Sequence, residues 1–359
     1  MTKEVEKYNM IKWYNPLECS TMLTTGFLDS NQFLRINSNN IEQVISENSC
    51  LKTLIKHTSG GMVRFITDSS RLIIKAKLNQ TTFSNNFLVN LINNFDLYLS
   101  KPGMNNFNYF NVTKGDISSN LIEYELFNNL NELKEVLINF PLFIEVEKLL
   151  IGLDEKSILS PPTPFIIDKK IVFYGTSITQ GAFASRPGNS YVNMISRLLN
   201  VEVINLGFSG NGLGEKSIID VISQIDKMGM LIIDYDANAG STGTLFTTLE
   251  PMINGVRKNH PTIPIIVVSR IIYCLEPYSK KIKKAINKRR RFQKKIVNES
   301  NDSNLYYVDG RKLLPKSPYD CFSDDIHLND LGFYYISQNL AKLIKSIIIN
   351  NEREDKNND

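Results

Sequence analysis

Residues 170–181 read KIVFYGTSITQG. A short apolar run, Ile171 to Tyr174, ends at a glycine and is followed by small polar residues and a second glycine. The run has the length of a strand, and Gly175 permits a sharp exit from it. Thr176 and Ser177 then suit a strand-to-helix turn in which a hydroxyl caps the next helix. The same turn would expose a small polar side chain at the sheet edge, so the segment alone supports two readings of Ser177: a capping residue, or a nucleophile that the turn presents.

The residues downstream repeat this punctuation. VEVINL (201–206), MLIIDY (230–235), PIIVVS (264–269) and LYYVD (305–309) read as strands, and helical spacing predicts helices near 189–200, 214–227, 244–260, 279–300 and 330–349. Nearly continuous apolar strands alternating with helices predict an α/β fold with a five-stranded parallel sheet covered on both faces. Ligand sites in such sheets lie beyond the carboxyl ends of the strands.

Upstream the period changes to two. RLIIKAKL (71–78) alternates buried-type and charged residues, MVRFIT (62–67) precedes it, and TDSS (67–70) between them predicts a hairpin. NFDLYLS (94–100), NLIEYELF (120–127) and VEKLLIGL (146–153) add strands, which together predict a β-sandwich. The segment SILSPPTPF (157–165) has three prolines in four residues, which suit neither a helix nor a central strand. The expected division is therefore a sandwich over 1–160, an α/β unit over 166–350 and a polar, frayed tail over 351–359.

Composition excludes several classes. The 359 residues are 42% hydrophobic and 22% charged with a net charge of +4, the balance of a packed globular protein. No stretch approaches the ~18 apolar residues of a membrane span, and the first residues lack the apolar run of a secretory signal, so a cytoplasmic location is expected. The four cysteines, Cys19, Cys50, Cys274 and Cys321, form no metal-binding or disulfide pattern and are read as reduced thiols. KKIKKAINKRRRFQKK (280–295) holds ten basic residues, yet Ile282, Ile286, Phe292 and Ile296 recur at helical spacing. An amphipathic helix with a solvated basic face is expected there, with no nucleic-acid partner.

Four of the five strand ends carry candidate chemistry. GTSITQG offers Ser177, NLGFSGNG (205–212) offers Gly210, DANAG (236–240) offers Asn238, and DDIHLNDLGF (324–333) offers Asp324 and His327 before a helix capped by Asn329 or Asp330. Together these supply a nucleophile, a base, an orienting carboxylate and donors for a tetrahedral oxyanion, the parts of an acyl-transfer site. Arg186 and Asn211, in the two glycine-rich loops, are candidate substrate contacts, although a structural ion pair explains Arg186 equally well. Asp236 is expected to be structural, and His57 and His260 to lie at the surface.

These segments resemble the four blocks of the SGNH (GDSL-type) hydrolases. GTSI is similar to the first block, FSGNG to the second, DYDAN to the third and DDIH to the last. NFDLY (94–98) resembles the Gly-x-Asp-Leu-Tyr motif of the β-sandwich that precedes the hydrolase domain in one branch, and FPLFIEVEKLLIGL (140–153) resembles its closing strands. The resemblance implies a flavodoxin-like α/β/α domain behind a jelly-roll-like sandwich. Three departures stand out: Asn94 replaces the motif glycine, Ala237 a proline of the third block, and Asp325 and Leu328 the usual Gly and Pro of the last.

The implied chemistry is a serine esterase working through an acyl-serine. Ser177 would attack, His327 act as base, Asp324 orient it, and Ser177, Gly210 and Asn238 hold the oxyanion, without metal or cofactor. The expected substrate is a short acyl ester, such as an O-acetyl group, of a sugar or small metabolite. The alternatives are an O-acyltransferase using an ester or thioester donor, and a non-catalytic protein binding a carbohydrate or partner. Oligomeric state is left open.

Overall fold

The computed structural model describes residues 10–29, 31–79, 93–114 and 119–358, with side chains through 349. The N-terminal strands form two antiparallel sheets. One contains β1 (Ile11–Tyr14), β4 (Leu72–Asn79), β7 (Leu121–Phe127) and β9 (Glu145–Asp154) in the order β1-β9-β4-β7. The other contains β2 (Leu23–Thr25), β3 (Met62–Thr67), β5 (Asp96–Ser100), β6 (Asn108–Val112), β8 (Lys134–Asn139) and β10 (Leu159–Ser160), ordered β10-β3-β8-β5-β6 with β2 also on β3. Their inner faces share one core that includes Phe65, Ile74, Leu97, Ile138 and Ile151. Two short helices, α1 (Ile41–Glu47) and α2 (Leu51–Leu54), lie between β2 and β3 in sequence.

The expected hairpin over 62–78 does not form. β3 pairs with β2, β8 and β10, whereas β4 pairs with β7 and β9 in the opposite sheet. The residues between them are long enough to cross the ~10 Å between packed sheets. Asp154 fixes that crossing, since its Oδ2 accepts from the Ser70 N–H and hydroxyl at 2.7 Å each. A polar turn between two alternating runs looks the same whether it reverses the chain or carries it across a sandwich.

The C-terminal sheet is parallel, with β11 (Lys170–Gly175), β12 (Val203–Gly207), β13 (Met228–Asp234), β14 (Ile265–Val268) and β15 (Leu305–Val308) in the order β12-β11-β13-β14-β15. The chain thus reverses its direction of winding at β11, and the crevice beside that strand's carboxyl end is where such sheets place a ligand. Successive residues alternate between two cores. Ile171, Phe173 and Ile232 face α4 (Tyr191–Leu199) and α9 (Asp330–Asn358) and share their core with the sandwich. Val172, Tyr174 and Ile233 face α5 (Lys216–Ser223) and α7 (Leu245–Arg257), together with Ile36, Val44 and Leu51 from the N-terminal region. The remaining helices are α3 (Ser177–Gln180), α6 (Asp236–Thr242) and α8 (Lys280–Glu299). The backbone of α9 stays helical to Asn358, where a frayed tail was expected from residue 351.

Among the described residues no helix is long and apolar enough to cross a membrane. The four cysteines are free thiols.

Candidate active site

Strand β11 must end in glycine: a Cβ at Gly175 would lie 2.0 Å from Thr179 Oγ1 and 2.5 Å from the Asp234 carbonyl. Thr176 then caps the single turn of α3, its hydroxyl accepting from the Ile178 N–H at 3.3 Å. This puts Ser177 at the first position of the turn, 6% exposed, with its Oγ 3.0 Å from His327 Nε2. His327 Nδ1 lies 2.7 Å from Asp324 Oδ2, and Asp324 Oδ1 accepts the N–H groups of Ile326 and His327 at 2.7 and 2.6 Å. A carboxylate only accepts, so Nδ1 carries the proton and Nε2 offers its lone pair to the Ser177 hydroxyl. Partial burial would raise the Asp324 pKa, but the hydrogen bonds from His327 and the two amides outweigh it and hold the carboxyl below its usual range. The Phe183 ring covers the imidazole, with centroids 5.1 Å apart.

Three residues with an N–H to give line the same cavity. Gly210 has φ +73° with nothing within 4 Å of its missing Cβ, so backbone conformation rather than room demands glycine there. Asn238, in α6, accepts the Gly212 N–H on Oδ1 at 3.2 Å, which turns its amide nitrogen the other way. The Ser177 N–H belongs to a first helical turn and has no intrahelical acceptor. Ser177, Gly210, Asn238 and His327 all line one cavity of about 510 Å³.

Two expected contacts lie elsewhere. Arg186 donates to the Tyr98 hydroxyl, sits 3.5 Å from Asp96 and stacks over Tyr109 at 4.0 Å. It belongs to the seam between the Asp-Leu-Tyr strand and the loop before α4, where Asp96 Oδ2 also accepts the Gly188 N–H at 2.7 Å. Asn211 lines a separate hollow of about 830 Å³ beside α5 and α7, and its amide donates to the Ser209 carbonyl at 3.0 Å. Glycine-rich loops set where a backbone can go, not where a neighbouring side chain points.

Of the other expectations, Asp236 is structural: it is fully buried and accepts from Gln293 at 2.6 Å and the Arg270 N–H at 3.1 Å. Asn329 caps α9 through its bond from the Gly332 N–H at 3.1 Å. His260 is half-buried, with Nε2 3.0 Å from the Ser223 carbonyl. His57 is not a surface residue. It is 4% exposed and accepts from Gln180 Nε2 at 2.9 Å, and burial together with nearby Arg35 pushes its pKa down to about 3. The extra charge of Asp325 is held at the rim by the Tyr273 hydroxyl at 3.0 Å.

The sequence reading missed several contributors. Gln180 ties α3 to the Gly210 loop, accepting the Ser209 N–H at 3.0 Å. Arg270 and Tyr273 line the cavity from the segment after β14, a strand end with no glycine-rich or Asp-His signal to mark it. Helix α8 supplies Ile282, Ile286 and Arg289 to the cavity wall. Its lysines are exposed as expected, but Arg289 and Arg290 turn inward to Asp236 and Glu276 at 3.0 and 2.8 Å.

Residues 168–345 match the GDSL-like Lipase/Acylhydrolase family, and residues 11–159 match the family described as N-terminus of Esterase_SGNH_hydro-type. The chain belongs to the SGNH (GDSL-type) hydrolases, in the branch with a GxDLY-type N-terminal region, and is an enzyme of the ester-hydrolase or acyltransferase class. A GDSL-like lipase from Bacteroides ovatus is similar over 94% of this chain and 98% of its own, at 26% identity and a TM-score of 0.83. A salicylyl-acyltransferase from a tetracycline biosynthetic pathway shares the fold over 94% and 97%, at 13% identity and a TM-score of 0.72. A family two carbohydrate esterase from Clostridium thermocellum shares it over 81% and 93%, at 16% identity and a TM-score of 0.58. No curated protein sequence matches the chain.

Proposed function

We propose that the protein is a serine esterase that removes short acyl groups from a sugar or small metabolite. The observation that carries this reading is the continuous chain from Asp324 through His327 to Ser177, at 2.7 and 3.0 Å, facing a cavity that also holds Gly210 and Asn238. A cavity of about 510 Å³ is the size of a small-molecule site.

In the first half-reaction the Ser177 proton passes to His327 Nε2 as Oγ bonds to the ester carbon. The carbonyl oxygen takes the displaced electron pair and is met by the N–H groups of Ser177 and Gly210 and the side-chain amide of Asn238. Collapse breaks the bond to the alcohol oxygen, which receives the proton from Nε2, and leaves an acyl-serine. Water then repeats the sequence and releases the acid. Asp324 stabilises the imidazolium in both halves. Residues 1–160 act as a support for the catalytic unit of 166–350, through the Asp96 seam and Arg35.

The test is release of p-nitrophenol from its acetate by wild type and by Ser177→Ala, with mass spectrometry for an acetyl group on Ser177. Background rates from both proteins and no adduct on Ser177 would sink the reading. If an added alcohol captures the acyl group faster than water does, the enzyme is an acyltransferase using the same residues.

A further inference from the structure

Arg270 is 6% exposed and lines the cavity that contains Ser177. Its backbone is pinned on both sides, the N–H donating to Asp236 Oδ2 at 3.1 Å and the carbonyl accepting from Arg290 Nε at 3.1 Å. Its guanidinium makes no hydrogen bond to any described residue, and Nη1 is fully buried without a partner. The nearest ring, Tyr273, lies 5.4 Å away and offers only its face. A buried guanidinium presents five donors in one plane, so this arrangement is unusual unless an acceptor is meant to arrive.

The neighbouring carboxylates do not fill that role. Asp236 directs Oδ2 to Gln293 and the Arg270 N–H, while its Oδ1 lies 3.0 Å from Arg289 Nε, close but poorly angled for a hydrogen bond. Asp234 accepts from the Tyr191 hydroxyl at 3.0 Å, and burial pushes its carboxyl up to about 6. Two guanidiniums, those of Arg270 and Arg289, thus line the cavity, while of the two carboxylates behind them Asp236 pairs with Arg289 and Asp234 accepts from Tyr191. The exposed lysines of α8 add positive charge to the helix that carries Arg289.

We propose that Arg270 is a specificity-determining residue which binds an oxyanion, a carboxylate or phosphate, carried by the ester substrate beside its scissile bond. The proposal rests on the assignment of Ser177 as nucleophile, and names the class of ester that this nucleophile meets. A planar guanidinium pairs with either anion through two parallel hydrogen bonds, which would orient the substrate as well as attract it.

The test uses two matched ester pairs on the full chain. Mono-p-nitrophenyl succinate against p-nitrophenyl butyrate places the charge on the acyl side, and 4-acetoxybenzoate against phenyl acetate places it on the alcohol side. Wild type is expected to prefer the charged member of one pair by about tenfold or more in kcat/KM, the worth of a charge-assisted hydrogen bond. Arg270→Gln should erase that preference and Arg270→Lys should restore part of it. Equal kcat/KM within both pairs for wild type, or a preference that survives Arg270→Gln, overturns the proposal.

A readout independent of turnover separates this failure from failure of the esterase reading. Calorimetric titration of wild type and Arg270→Gln with benzoate and with inorganic phosphate measures the anion site directly and tells the two anions apart. Saturable binding that Arg270→Gln abolishes supports the site even if none of the esters is cleaved. Absence of binding of both ions to wild type, with no charge preference among the esters, overturns it.

Discussion

Gln180 accepts the backbone N–H of Ser209 at 3.0 Å, and so the last residue of the nucleophile's helical turn fixes the residue just before Gly210. The other end of the same side chain donates to the Leu142 carbonyl at 3.0 Å and to His57 at 2.9 Å. One fully buried amide thereby joins the nucleophile turn, the oxyanion loop and the N-terminal region. Gln180→Leu keeps the bulk but leaves Ser209 without its acceptor. The expected result is a loss of about ten- to a hundredfold in kcat, as for a misplaced oxyanion donor, with a smaller change in KM. Steady-state kinetics on p-nitrophenyl acetate, beside an unfolding curve, checks it.

Asn238 permits a cleaner test of the same hole. Asn238→Asp still accepts the Gly212 N–H, so the loop stays put, but it has no N–H to give and adds negative charge where the oxyanion forms. Asn238→Ala loses both the donor and the acceptor of the Gly212 N–H, at an expected cost of about a hundredfold or more in kcat. The aspartate should be slower still, and kcat measured for both variants decides.

Asp324 offers only acceptors: two to backbone amides and one to the imidazole. In Asp324→Asn, Oδ1 is kept by the two amides, so the NH₂ group faces His327 Nδ1 and forces the proton onto Nε2. That tautomer cannot take the Ser177 proton. A fall of about 10³- to 10⁴-fold in kcat is expected at neutral pH, with little change in unfolding midpoint.

His57 predicts a pH dependence of stability. Its folded pKa, about 3, lies below the ordinary value of 6.5 because burial and Arg35 disfavour the charged ring. The unfolded chain therefore binds the proton first, so stability is full above 6.5 and falls as pH drops toward 3, by up to about 1.4 kcal/mol per pH unit. Asp234 acts in the opposite sense: its contribution is full below 3.8 and is lost as pH rises through about 6. Urea midpoints of wild type and His57→Gln between pH 4 and 7 isolate the histidine; parallel curves would contradict the assignment.

The α/β half was legible because a parallel sheet buried on both faces writes each strand as a continuous apolar run. The same runs located Ser177, Gly210, Asn238 and the Asp324–His327 pair, since each follows a strand end. Strand β8, KEVLIN, was hidden for a physical reason. All six residues are buried, but Lys134 gives its protons to the carbonyls of Ser69, Leu130 and Glu132, and Glu135 pairs with Arg64 at 2.7 Å. Charges satisfied inside a fold look like surface to a sequence pattern. Arg289 and Arg290 were misread for the same reason, and His57 because a buried neutral imidazole carries no mark in the sequence; Arg186 proves to be the ion pair that was one of its two readings, with its partner Asp96 on a distant strand.

Arg35 gives a last consequence, one of timing. It is fully buried, stacked over Phe208 at 4.8 Å, and donates to the Leu54 carbonyl and to those of Asn205 and Gly207, at 3.1 and 2.6 Å. Leu54 is made soon after Arg35, but Asn205 and Gly207 belong to β12, which the ribosome produces only after the whole sandwich has emerged. A nascent chain that ends before β12 must therefore keep this arginine in water or leave it incompletely paired. The order of synthesis thus makes the N-terminal half wait for the strand whose loop it will later brace.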